Sequence, residues 1–168
     1  MANKYLQVGS NGHPQEVEAT TSSAGAGDAG KIVGLDGSGK IASSMMPAGV
    51  GADVTSIEAG EDLSAGDWVN LYLDTTLKMR KADASNAYPV DGYVDAAVLT
   101  GASGDFYREG TNSNCSGLTI GTEYFLSATA GAETATAPTT AGHIAQSLGK
   151  ALSATEMLFQ RGTPITRA

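Results

Sequence analysis

The chain has 168 residues, of which 41% are hydrophobic, and this length allows one compact core of modest size. Its 22 glycines and its low aromatic content of 6% indicate many turns and short elements. The formal net charge is -8 and no run of basic residues occurs, whereas binding to nucleic acid or to an anionic membrane depends on clustered Lys and Arg. We therefore expect neither nucleic acid nor membrane as a partner.

Signals for export and for disulfide bonds are also missing from the sequence. The N-terminal residues contain no apolar stretch of the kind found in signal peptides, and no segment approaches about 18 uninterrupted apolar residues. Neither signal-dependent export nor a membrane span is therefore expected. Cys115 is the single cysteine, and we expect it to be an unreactive small hydrophobic residue.

Residues 1–56 differ in composition from the rest of the chain. They are rich in Gly, Ala, Ser and Thr, and Tyr5 is the one aromatic residue before Trp68. A segment with so few large apolar groups does not offset the entropy of ordering its own backbone, which is about 1 to 2 kcal/mol per residue. The composition therefore predicts an extended N-terminal arm that becomes ordered against a partner.

Within this arm, residues 25–42 read GAGDAGKIVGLDGSGKIA and resemble nucleotide-binding loops in spelling. The stretch matches the first seven positions of G-x-x-x-x-G-K-[ST] twice, and it matches G-x-G-x-x-G once. Both longer matches fail at the eighth position, where Ile32 and Ile41 replace the hydroxyl residue that would hold magnesium. The sequence therefore lacks a complete phosphate-binding pattern.

The flanks of this stretch also disagree with a phosphate site, which needs a buried strand before the loop and a helix after it. Polar residues precede the first glycine, and Pro47 with nearby glycines follows too closely for a helix. We interpret residues 31–35 and 40–43 as two short extended segments joined by a turn at residues 36–39. Nucleotide binding is not expected.

Residues 57–161 contain the larger side chains and show a period of two. In this pattern Val90, Val94 and Val98 fall on one face, and Asp91, Tyr93 and Asp95 fall on the other. Short apolar runs separated by Gly, Asp and Thr turns predict strands at residues 54–59, 68–73, 77–82, 90–99, 104–109, 123–128, 133–137, 144–151 and 155–161.

The predicted fold class is mainly β, with an extended N-terminal arm followed by a small antiparallel β-barrel or sandwich. The arm covers residues 1–56, the barrel or sandwich covers residues 57–161, and a C-terminal tail covers residues 162–168.

The sequence predicts no catalytic, metal-binding or cofactor-binding residues. His13 and His143 are the only histidines, and neither has Cys or His neighbours at the spacing of metal ligands. No G-x-S-x-G motif of acyl-transfer enzymes occurs. The acidic pairs Glu61 with Asp62 and Asp91 with Asp95 are candidates for a glycosidase dyad or a calcium site, but in so acidic a chain we interpret them as solvated surface.

The adjacent rings of Tyr124 and Phe125 occupy opposite faces of one predicted strand. One ring is therefore expected in the core and the other at a surface or interface. A carbohydrate-stacking platform is the alternative role for the second ring.

Two segments resemble proteins of tailed bacteriophages. Residues 116–159, SGLTIGTEYFLSATAGAETATAPTTAGHIAQSLGKALSATEMLF, are similar to a segment that recurs in virion surface proteins, with the pattern G-L-T-x-G-x-x-Y-[FY]-L-S followed by a Gly-Thr hairpin and a strand ending in A-L-S. Residues 28–47 are similar to phage structural sequences of the type D-A-G-K-I-V-x-L-D-x-x-G-K-I-x-x-S-x-M-P.

The resemblance implies a small head-decoration or cement protein, made in the bacterial host cytoplasm and located on the capsid surface of the virion. Its partners would be the major capsid protein and further copies of itself, since the similar proteins are commonly homotrimers. Such patterns also occur in head fibres and tail fibres, so the alternative is a fibre module that recognises a host surface glycan.

The apolar residues of the arm are the predicted contacts with the capsid or with a neighbouring chain. Their irregular spacing is typical of an extended segment that adds to a sheet edge and inserts a few side chains into apolar grooves. The predicted partner-binding residues are Tyr5, Leu6, Ile32, Val33, Leu35, Ile41, Met45 and Met46.

Overall fold

The computed structural model describes residues 4–23, 25–37, 39–42, 45–46 and 54–168. The chain forms two compact units, Met1–Gly51 and Ala52–Ala168. Parts of the predicted arm, including Ser38 of the predicted turn, Ser43 and Pro47, lie outside the described residues. Within the described part of the chain, no helix has the length and apolar character needed to cross a membrane.

The first unit contains a β-hairpin that the sequence pattern did not predict. Strand β1 (Lys4–Val8) pairs antiparallel with β2 (Pro14–Glu18). The connecting turn has Gly12 at a φ of 76°, a left-handed conformation that glycine adopts without strain. Most of the hairpin side chains are exposed, so there is little hydrophobic alternation from which to predict strands. The Asn-Gly pair in the turn is the sequence signal that points to it.

After the hairpin, the backbone of the first unit pairs with itself once more. A short 3-10 turn covers Ala26–Asp28. The Thr20 N–H donates to the Ile32 carbonyl at 2.9 Å, and the Gly34 N–H donates to the Thr20 carbonyl at 2.8 Å. These bonds form a parallel bridge between Thr20 and Val33. The arm is therefore locally folded rather than extended throughout its described residues.

The second unit begins with a closed five-stranded barrel. Its strands are β3 (Val54–Ala59), β4 (Trp68–Leu73), β5 (Leu77–Lys81), β6 (Gly92–Val94) and β7 (Ser103–Tyr107). Their order around the barrel is β3-β5-β4-β6-β7. The pair β3 and β5 is parallel and the other pairs are antiparallel. The predicted mainly β class, with a small barrel, is confirmed.

Further strands pack beside this barrel. They are β8 (Gly110–Asn112), β9 (Glu123–Leu126), β10 (Glu133–Thr134), β11 (Ile144–Ala145), β12 (Ser147–Ala151), β13 (Met157–Phe159) and β14 (Ile165–Thr166). An antiparallel sheet has the order β10-β9-β12-β13-β8, which we call the second sheet, and β11 pairs with β14. Residues 162–168, predicted as a tail, therefore contribute a strand to the fold.

The barrel wall separates two apolar clusters. The inner cluster has members from all five barrel strands, including Ile57, Val69 and Phe106. The outer cluster joins Trp68 and Tyr93 of the barrel to apolar side chains of the second sheet. Neighbours along a strand point to opposite faces, so Trp68 and Val69 are both buried, one on each side of the wall.

This arrangement corrects the prediction for residues 90–99. All three valines are buried, but they do not share one face: Val94 and Val98 belong to the inner cluster, whereas Val90 belongs to the outer cluster. Tyr93 is buried in the outer cluster as well, because the second sheet covers that side of the barrel wall. The Tyr93 ring lies 5.8 Å from the Trp68 ring. The strand itself is shorter than predicted, since β6 covers Gly92–Val94 alone.

Most other predicted strands correspond to observed ones, with ends that differ by at most three residues. The predicted strand 144–151 is interrupted at Gln146, which separates β11 from β12. Strand β8 was not predicted, because its sequence Gly-Thr-Asn lies in a polar segment typical of a loop.

Candidate partner-binding surface

The candidate site is the exposed apolar surface of the first unit. Leu6 is 74% exposed, Ile32 is 54% exposed and Leu35 is 53% exposed. Three further predicted residues are exposed, namely Val33, Ile41 and Met46. Tyr5 and Met45 are half-buried. Leaving large apolar side chains in water is unfavourable by about 25 cal/mol for each Å² of apolar area, so these residues are candidates for contact with a partner.

The β1–β2 hairpin divides the predicted residues between its two faces. Tyr5 and Leu6 are neighbours in β1 and therefore point in opposite directions. The Tyr5 hydroxyl oxygen accepts a hydrogen bond from the Ile32 N–H at 3.4 Å, which connects its face to residues 31–35. Leu6 shares the other face with Val8, which is also exposed. Val8 was not predicted, although its spacing of two from Leu6 is the pattern that places both on one face.

Residues 31–35 are held in an extended conformation by Thr20, whose N–H and carbonyl bond to Ile32 and Gly34. The backbone passes closely here, since a Cβ atom added to Gly34 would lie 3.2 Å from the Ala19 Cβ. Val33 and Met45 line the same small cleft, which has a volume of about 150 Å³. The structure thus brings these two predicted residues together.

Leu35 and Ile41 flank the predicted turn at residues 36–39, which the structure confirms. The Asp36 N–H donates to the Lys40 carbonyl at 2.8 Å, and the Gly39 N–H donates to the Asp36 carbonyl at 3.0 Å. The Asp36 carboxylate also accepts from the Lys40 N–H at 3.0 Å. Side chains on either side of such a turn project from a locally fixed backbone.

Lys31, the lysine of the first phosphate-loop match, forms an ion pair within the first unit. Lys31 Nζ lies 2.6 Å from Asp28 Oδ1, and this hydrogen bond raises the pKa of Lys31. The residues after Gly25 form the three-residue 3-10 turn. The described part of the first unit therefore offers apolar side chains and backbone edges for contact with a partner.

The carboxylates of the acidic pairs in the second unit accept hydrogen bonds from nearby backbone and side-chain groups. Glu61, Asp62 and Asp95 are exposed, as the interpretation of solvated surface predicted, and Asp91 is half-buried. Hydrogen bonds from the Thr100 backbone and side chain lower the pKa of Asp62. Glu61 accepts from the Lys81 N–H, and Asp62 accepts from the N–H and the hydroxyl of Thr100. Asp91 accepts from the Leu71 N–H and the Asn70 amide, and it pairs with Arg161. Asp95 accepts from the Asn114 amide.

The remaining predictions concern Cys115, the aromatic pair Tyr124 and Phe125, and metal binding. Cys115 is buried, and its burial raises the pKa of the thiol to about 12. Tyr124 is buried and Phe125 is half-buried, which confirms that the two rings lie on opposite faces. Among the described residues, no group of three or more His, Cys, Asp and Glu side chains is arranged to hold a metal ion.

Searches against protein-family models and curated proteins gave no match to this sequence.

Proposed function

We propose that the protein is a non-enzymatic structural protein of a phage virion that binds the outer surface of the capsid and stabilises it. The observation that carries this proposal is the contrast between the two units. Six of the eight predicted contact residues in the first unit are at least 42% exposed, whereas the second unit has two apolar clusters of its own. The resemblance of residues 28–47 and 116–159 to phage structural proteins supports the identity of the partner.

The exposed side chains supply enough free energy for such a contact. Burying one aliphatic side chain contributes about 1.5 to 3 kcal/mol, so a few of them offset the loss of translational and rotational freedom on binding. We propose that three copies associate as a homotrimer, which suits a three-fold position on a capsid. Linking three binding sites in one trimer strengthens binding by a factor of about 10² or more where all three bind at the same time.

The hairpin offers a second kind of contact. In the described part of the chain, β1 and β2 pair only with each other, so each keeps an outer edge with free backbone donors and acceptors. A strand of the capsid protein can add to such an edge, while the apolar side chains enter grooves beside it.

Co-sedimentation with capsids emptied of DNA tests the proposal. Changing both Ile32 and Ile41 to Asp is expected to weaken capsid binding by at least about 100-fold, because two apolar contacts are replaced by charges. Changing both Lys31 and Lys40 to Ala is expected to leave binding near normal. Leu77→Asp is the matched control, since Leu77 is an apolar residue of the second unit with a similar exposure of 50%.

Two results would contradict the proposal. If the lysine variant fails to bind and the isoleucine variant binds normally, the contact is electrostatic and the apolar surface is not the site. If the unchanged protein does not bind capsids but binds host cells or a glycan array, the protein is a fibre module that recognises a host glycan.

A further inference from the structure

One end of the barrel opens between β4 and β7. Strand β6 lies between them but is short, and it pairs with β4 at Trp68 and Val69. Leu71, farther along β4, has its N–H bonded to a side chain instead of to a strand. A cleft of about 340 Å³ lies at this end, and its lining residues are Leu71, Asp91, Phe106, Arg108 and Arg161.

The floor of this cleft is apolar because it is the end of the barrel core. Phe106 is fully buried and belongs to the inner cluster. Leu71 is half-buried and packs against the same cluster. Leu71 therefore supplies the apolar surface that a ligand can cover here, and the mouths of β-barrels are a common location for small-molecule sites.

One wall of the cleft presents a guanidinium group that is fixed in place. Asp91 uses one carboxylate oxygen to accept from the Leu71 N–H at 2.8 Å, and its other oxygen lies 2.7 Å from Arg161 Nη2. Arg161 Nε donates to the Val90 carbonyl at 3.0 Å. These two contacts orient the guanidinium and leave its other N–H donors for a ligand.

A second arginine, Arg108, also lines the cleft. Arg108 is exposed and forms no hydrogen bond or ion pair with any residue in the described part of the chain. Arg108 and Arg161 together with Asp91 give the cleft a net charge of +1, in a protein whose net charge is -8. A bound anion of single charge would balance the cleft and satisfy the unpaired guanidinium.

We propose that this cleft binds an organic monoanion, namely a carboxylate attached to a single ring or a short apolar body. The carboxylate accepts hydrogen bonds from Arg108 and Arg161, and the body covers Leu71. A doubly charged phosphate fits less well, because Asp91 repels the second negative charge. The volume is near the lower limit of about 300 Å³ for small-molecule sites, which favours a one-ring ligand. This site lies in the second unit and does not depend on the proposed capsid contact.

An NMR titration of the full-length protein tests this site. Benzoate is the probe, and the signals followed are the Leu71 and Phe106 amides and the arginine side-chain N–H groups. We expect saturable shifts with a Kd of about 1 to 10 mM, as for a small ligand with one charged contact. Benzyl alcohol, which has the same ring without the charge, is expected to bind at least about tenfold more weakly.

The decisive variant is Arg108→Gln, which removes the unpaired guanidinium and disturbs no internal contact of the described residues. We expect it to weaken benzoate binding at least about tenfold. Lys150→Gln is the matched control, because it removes one exposed positive charge outside the cleft, and it should change binding less than about twofold. Glucuronate, a sugar acid, distinguishes two classes of ligand. Tighter binding of glucuronate than of benzoate identifies a sugar acid as the ligand class, and weaker binding identifies an apolar acid.

Three results would overturn this proposal. They are the absence of saturable shifts with both carboxylates, unchanged binding by the Arg108→Gln variant, and phosphate binding as tight as that of benzoate. Capsid co-sedimentation of the same variant should equal that of the unchanged protein, so failure of the cleft and failure of the proposed function are separate results.

Discussion

Replacing Gln146 by leucine tests how the interrupted segment between β11 and β12 is held in the core. The Gln146 side chain is fully buried, and its amide makes three hydrogen bonds. Its oxygen accepts from the Val90 N–H at 2.7 Å, and its Nε2 donates to the Val90 carbonyl at 3.0 Å and to the Gly162 carbonyl at 3.1 Å. The side chain thus pairs with the backbone of Val90 and of Gly162, neither of which lies in a strand.

Leucine has a similar volume but offers no hydrogen bond, so the buried Val90 N–H loses its partner. An unsatisfied buried group destabilises by about 1 to 3 kcal/mol, and the lost bond to Gly162 adds about 1 kcal/mol. The Val90 carbonyl keeps the bond from Arg161 Nε. We therefore expect Gln146→Leu to lower the free energy of unfolding by about 2 to 4 kcal/mol, a decrease of about 4 to 16 °C in Tm.

Urea and thermal unfolding followed by circular dichroism measure this change. Gln160→Leu is the control, since Gln160 is exposed. Gln146→Glu separates hydrogen bonding from packing, because a carboxylate faces two carbonyl oxygens. Burial raises the pKa of such a group, so this variant should regain stability as the pH falls and lose it as the pH rises through the raised pKa. A loss below about 1 kcal/mol in Gln146→Leu, equal to that in the control, would refute the reasoning.

Four further predictions concern the two units. Limited proteolysis of the free protein should leave a stable fragment that begins near residues 50–60, and equal resistance along the whole chain would contradict the proposed arm. Light scattering should give about three chains per particle, and a monomer at micromolar concentration would remove the proposed trimer while leaving the fold unaffected. Ala87 has a φ of 55°, so Ala87→Gly should raise the free energy of unfolding by about 0.5 to 1 kcal/mol in urea titrations, and destabilisation would show that no strain is stored there. The pKa of Asp62 in the folded protein lies below 3.8, so its stabilising effect is complete above that value and is lost as the pH falls through the folded pKa. Asp62→Asn should therefore make the urea midpoint depend less on pH below about pH 4. A pH dependence equal to that of the unchanged protein would contradict this.

The sequence predicts the barrel strands well because burial on one or both faces imposes a pattern of apolar residues. Val94 and Val98 share one face as predicted for this reason, but Val90 lies in the other cluster. The burial of Tyr93 was not predicted, since a period of two indicates which residues share a face but not whether a second sheet covers the other face. Gln146 shows a related limit, because a polar residue inside an apolar run does not reveal that its amide replaces a strand partner.

The candidate sites were predictable to different degrees. The exposed residues of the arm, such as Ile32 and Leu35, were identified from composition because large apolar side chains are rare there. The hairpin that divides them was missed, since its strands have little buried surface. Arg108 and Arg161 are 53 positions apart in the sequence, and only the barrel geometry brings them to one cleft.

A cryo-electron map of the virion that carries this protein tests the central claim most directly. The proposed function predicts density for the protein on the outer face of the capsid, at or around three-fold positions, with the first unit against the capsid protein. Ile32 and Ile41 should lie in apolar grooves of that surface. Density confined to fibre tips, or a capsid contact made by the second unit with these isoleucines in solvent, would contradict the account.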